Sequence, residues 1–183
     1  LYHALLNASL ILNILLDLGL NNYNNRKIAV NNQRFTLYFQ NISIIRLGLA
    51  FFYLLGLQVY GVIVGYSSYD MWLLLFLGVS QVLLSSILYI RSNFTAFGKF
   101  KLDSVFSVLD RLLMILGVFY LFAHQAEGYV NIENFIFVQV IGYGISFLTG
   151  LLTLILIGNV KWPKFQKRFS KILLKKSAPY ALI

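Results

Sequence analysis

Five apolar runs, each close to the length of a bilayer crossing, dominate this sequence: about 2–20, 43–65, 70–90, 104–124 and 135–158. A helix needs roughly 20 mostly apolar residues to cross hydrocarbon, and only helices or closed barrels satisfy their backbone groups there. Period-two alternation is absent from these runs, which disfavours a barrel. The expected fold is therefore all-α, a polytopic membrane helical bundle. Composition agrees: 59% of residues are hydrophobic and only 11% charged, too little polar surface for a water-soluble chain of 183 residues. The net charge of +9 invites a nucleic-acid reading, but the basic residues punctuate apolar runs instead of forming a polar module. With no cysteine, and with His3 and His124 far apart, neither a metal site nor a cofactor is expected.

The Lys and Arg residues set a topology. Arg26, Lys27 and Arg34 follow the first run, with Arg46 at the start of the second; Arg91, Lys99 and Lys101 follow the third, with Arg111 early in the fourth. Seven more, from Lys161 to Lys176, follow the fifth. The two remaining connectors, 66–70 and 124–134, hold no Lys or Arg and carry Asp70, Glu127 and Glu133. By the positive-inside rule the basic connectors face the cytoplasm and the first span runs inward. The Asn-rich stretch 21–32 reads as a turn-rich loop. In 159–177, Trp162, Phe165, Phe169, Ile172 and Leu173 recur at helical spacing among basic residues, the pattern of an amphipathic linker lying on an anionic leaflet. The chain opens on Leu1 inside an apolar run, and another run starts near 178–183. The expectation is a piece of a larger membrane protein: a five-span bundle over 1–158, the linker, and the start of a further span.

At 100° per residue the polar residues within each span share an arc. His3, Asn7, Asn13 and Asp17 do so in the first; Arg46, Tyr53 and Tyr60 in the second; Gly78, Gln81, Ser85 and Tyr89 in the third. Asp103, Ser107, Asp110 and Arg111 gather at one end of the fourth, and Gln139, Tyr143, Ser146, Gly150 and Thr153 form a ladder on the fifth. Small residues on such faces mostly serve helix packing, as in Gly61-x-x-x-Gly65. An ionisable group at membrane depth costs a few kcal/mol, about 2.5–3.5 on insertion scales, and so faces a partner or a wet cavity. Asp17 is the cleanest such case. For Asp103, Asp110 and Arg111 an ion pair with Arg26, Arg46 or one another competes with substrate contact. Cations, amides and Tyr rings turned to a common interior suit a ligand bearing phosphate and sugar.

Two stretches, DLGLNNYNNRKIA (17–29) and YIRSNFTAFGKFKLDSVFSVLDRLLMI (89–115), resemble the N-terminal lobe of bacterial polysaccharide flippases; KKSAPYALI (175–183) resembles the start of that family's seventh helix. These are the Wzx-type (O-antigen and capsule) members of the multidrug/oligosaccharidyl-lipid/polysaccharide exporter superfamily, MATE-like in fold. The resemblance implies helices two to six of a MATE-like N-terminal lobe, with a first helix and a C-terminal lobe elsewhere in the same protein. It implies alternating access and export of an undecaprenyl-diphosphate-linked oligosaccharide across the bacterial inner membrane. Carried onto this chain, it points to Asp17, Arg26, Arg46, Asp103, Asp110 and Arg111 as pathway or gate residues. Tyr53, Tyr60, Gln81, Gln139 and Tyr143 are candidate cavity lining.

The expectation is thus a transporter whose partners are a lipid-linked oligosaccharide and membrane lipids, with no nucleic acid. No GxxxxGK[ST] occurs, since Gly98-Lys99 lacks the upstream glycine, so ATP hydrolysis is not expected of this stretch. The runner-up is a MATE-like, cation-coupled exporter of drugs or metabolites. An intramembrane enzyme acting on a lipid-linked glycan is weaker: its outer connectors would be short, and Ser146 with His124 lacks any activating motif. A non-transporting scaffold would not need a polar stripe in every span.

Overall fold

The computed structural model describes residues 2–31, 33, 35–124, 131–158, 173, 176, 177 and 179. Arg34, Glu127 and almost all of the expected linker and following span lie outside them. Among the described residues there is no strand, and five helical stretches are long and apolar enough to cross a membrane. The chain is an all-α, multi-pass membrane bundle.

The first span comprises α1 (Tyr2–Ile11), a 3-10 segment (Leu12–Leu16) and α2 (Leu20–Val30). The others are α3 (Phe35–Val64), α4 (Ser68–Ala96), α5 (Phe100–His124) and α6 (Ile132–Gly158). At about 1.5 Å per residue, the 30-residue α3 is about 45 Å long, well over the roughly 30 Å of hydrocarbon. The apolar run 43–65 is therefore the C-terminal part of a longer helix, and the runs 104–124 and 135–158 likewise end where α5 and α6 end. Stretch 21–32, expected as a loop, is helical to Val30. Asn21, Asn24 and Asn25 find side-chain partners on α3 and α4, which removes their usual reason to form turns.

Helix α4 is the hub and touches every other helix. It starts with a cap: Ser67 Oγ accepts from the Asp70 backbone N–H (3.2 Å) and donates to the Asp70 carboxylate (2.8 Å). Gly61 of α3 is buried against Met71 and Leu74, as a small packing residue should be. Gly65 lies beyond the helix end, at φ 79, and turns the chain instead of continuing a small-residue face.

Two clusters of buried side chains pin the bundle. One gathers Tyr23, Phe35, Phe39, Tyr89, Phe94 and Phe106, joined by Leu173 from beyond α6. The other gathers Leu5, Tyr53, Leu57, Leu73, Leu77 and Ile136. Outside them the surface is apolar, with Phe51, Ile63 and Phe119 all more than half exposed, as a lipid-facing surface requires. Charge divides by end. Exposed Arg26, Lys27, Lys99 and Lys101 share the end where Phe35 meets Phe97 (centroids 4.7 Å apart) and would clash with any side chain at Gly158. The opposite end carries Asp70 and Glu133, and the sequence holds no Lys or Arg in 47–90 or 112–160.

Candidate functional site

Between the two clusters the packing turns polar, and the cause is a break in the first span. After the 3-10 segment, Leu18 takes φ 44 and Gly19 φ 73. Gly19 has no Cβ to oppose this, whereas a left-handed Leu18 costs about 1–2 kcal/mol. The break lets Asp17 cap the second half-helix: its Oδ1 accepts from the Asn21 N–H (3.1 Å) and its carbonyl from the Leu20 N–H (2.9 Å). A carboxylate at a helix N-terminus is favoured by the backbone dipoles.

Arg46 of α3 meets that carboxylate. One guanidinium nitrogen donates to Asp17 Oδ1 (3.3 Å) and Asn21 Oδ1 (2.9 Å). The other donates to the Ser85 carbonyl (2.7 Å) and Oγ (2.6 Å), and the guanidinium sits 4.9 Å from the Tyr89 ring centre. Arg46 is 8% exposed. It lies eleven residues into α3, so it is about 16 Å from the helix end and about 5 Å from the helix midpoint. Arg46 is the fourth residue of the apolar run 43–65, with eight further helical residues, 35–42, before that run.

Beside it runs a groove of about 570 Å³, floored by α4 and walled by α3 and α6. Ser43, Arg46, Ser85, Ser86 and Tyr89 supply its polar groups; Leu47, Val82, Phe147, Leu151 and Ile155 make it otherwise apolar. One buried cation therefore borders a greasy slot inside the bundle.

The other candidates scatter. Asp103 pairs with Arg91 (2.8 Å), both about one-quarter exposed, and clamps the α4–α5 turn; its expected partners were Arg26, Arg46, Asp110 or Arg111. Arg26 is exposed at the basic end, and Arg111 is exposed on α5. Asp110 is buried, its Oδ1 accepting the backbone N–H of Arg111 (2.8 Å). Phe106 of α5 lies against the Gly150 position of α6 and Leu113 against Gly142, a register that sets Asp110 opposite buried Ser146.

Of the expected lining, none borders the groove. Tyr53 is fully buried and donates to the Ser9 carbonyl (2.9 Å), and Tyr60 is 40% exposed. A seven-residue spacing drifts about 20° per repeat on a straight helix, so the stripe from Arg46 to Tyr60 leaves the interior. Gln81 is buried and accepts from Asn13 (3.4 Å), Gln139 is buried, and Tyr143 is half-buried. Sequence reasoning missed Asn21, assigned to a loop. It had Ser85 and Tyr89 on the right stripe of α4 without selecting them.

A second polar tie lies nearer the basic end. Asn24 donates to Asn93 Oδ1 (2.8 Å) and Asn25 to Thr95 Oγ1 (3.0 Å), fastening α2 to α4. Comparison of the chain with protein-family models, curated proteins and solved structures returned no match.

Proposed function

We propose that this chain forms part of a flippase that moves an undecaprenyl-diphosphate-linked oligosaccharide across the bacterial inner membrane by alternating access, with its basic end in the cytoplasm. The observation that carries this reading is the buried arginine on the wall of an apolar groove. A lipid-linked diphosphate is an anion attached to a hydrocarbon tail, and these are the two chemistries the groove offers side by side. The broken first span supports it too, because transporters commonly build midplane sites where a helix is interrupted. Asp17 holds Arg46 without burying it away from the groove. A phosphate competing for the guanidinium would loosen the tie between α3 and the break, coupling ligand to helix position.

The test is translocation of a labelled lipid-linked glycan by the native chain in proteoliposomes. Arg46→Ala should slow it by about tenfold or more, the loss of a charge-assisted contact, with Arg46→Lys intermediate. Ala50→Phe, which fills the groove one turn along α3 from Arg46, should also slow it. Translocation at the wild-type rate in both Arg46→Ala and Ala50→Phe would refute the reading. The cation-coupled exporter draws on one separate observation, the buried Asp110 on α5. That reading predicts that Asp110→Asn abolishes the dependence of drug export on an ion gradient while leaving drug binding intact.

A further inference from the structure

The acidic end of the bundle holds a second pocket, of about 490 Å³, where the start of α4 meets the start of α6. Tyr69, Trp72, Phe76 and Phe137 surround it, with Glu133 as its charged group. The rings form a continuous wall: Trp72 stacks on Phe76 (5.9 Å, 25°) and Phe76 leans on Phe137 (5.0 Å, 59°). Trp72 is 62% exposed and Phe137 46%, so ring surface is open to a ligand. A solvated face would not need four aromatic rings around one carboxylate, and a plain packing cluster would not leave the space between them empty.

Electrostatics selects the ligand. Ring faces attract cations within about 6 Å of their centroids, and more strongly where water is partly excluded. Glu133 supplies the countercharge, and Asp70, two residues before Trp72 and bonded to Ser67, adds a second negative charge at this end outside the pocket. No Lys or Arg lies in the two sequence stretches that build this end, so an anion would find nothing to bind. We propose that this pocket binds an alkylammonium group, either of a free organic cation or of a phospholipid headgroup, independently of the Arg46 groove.

These 183 residues contain two tryptophans, Trp72 and Trp162, so Trp162→Phe leaves Trp72 as the one indole among them, and its contribution is read as the difference from Trp72→Phe. The native chain carrying that change, in nanodiscs of phosphatidylglycerol, is titrated with tetramethylammonium and choline while Trp72 emission is followed. The neutral choline isostere 3,3-dimethylbutan-1-ol is the comparison. The expected result is a saturable response to the cations alone, weakened about tenfold by Glu133→Gln through the lost charge pair. Asp70→Asn also removes an acid from a helix N-terminus but lies outside the pocket, and should weaken binding less than Glu133→Gln does. Repeating the titration in phosphatidylcholine separates the sources: a weaker apparent affinity for free choline means the lipid headgroup occupies the pocket, and an unchanged one means a free cation does. A response equal for the neutral isostere, a response that never saturates, or full affinity in Glu133→Gln would overturn the proposal.

Discussion

Arg46 shows how a membrane protein holds a charge where hydrocarbon should be. The guanidinium donates to four acceptors, one of them a carboxylate oxygen, and lies over an aromatic ring. Removing one partner of such a pair strands the other, so Arg46→Ala should cost about 3–5 kcal/mol of stability, measured by unfolding in detergent. Adding Asp17→Asn to that variant should cost less than the two single changes summed, because the neutral amide no longer needs a cation. Additive losses would mean that the two side chains do not share one network. Asp17 was legible from sequence because an acid inside an apolar run has few bland explanations. The full length of α3 was not. Polar Gln40 and Asn41 hid the true start of α3, although both are buried and Asn41 donates to the Leu37 carbonyl (2.8 Å).

At the scale of elements, the interruption of the first span is the informative feature. Only Gly19 hinted at it, and a single glycine in an apolar run is ordinarily tolerated by a continuous helix. Its left-handed φ makes a firm contrast with Gly48, a helical position with open space around the missing Cβ. Gly19→Ala should destabilise the chain by about 1–2 kcal/mol. Gly48→Ala should be neutral or stabilise it by up to about 1 kcal/mol. Thermal unfolding of the two variants checks both signs. The Asn24–Asn93 tie explains why a stretch that reads as loop is helix: tertiary hydrogen bonds answered amides that would otherwise turn the backbone. Asn93→Leu should cost about 1 kcal/mol, the scale of an interhelical hydrogen bond in a membrane. The double change with Asn24→Leu should recover part of that loss.

For the whole molecule, the sequence made the five-span helical bundle legible because the length of an apolar run and the absence of alternation are both set by the bilayer itself. What it could not supply was which polar faces converge. Helical stripes give an angle about each axis, whereas Asp17 and Arg46 meet because of a backbone break and a register between helices. The proposed orientation is open to direct labelling, since these 183 residues contain no cysteine. Single cysteines at Lys27 and Lys99 should react from one side of the membrane, and those at Ser67 and Asn131 from the other. The most direct test of the central claim is photocrosslinking of the native chain to a lipid-linked diphosphate glycan. The photoreactive residue is placed at Leu47, on the groove, or at Ile115, on the exposed face of α5. The account predicts adducts at Leu47 that disappear with Arg46→Ala, and few at Ile115. Equal labelling at the two positions, or labelling at Leu47 that ignores Arg46, would contradict it.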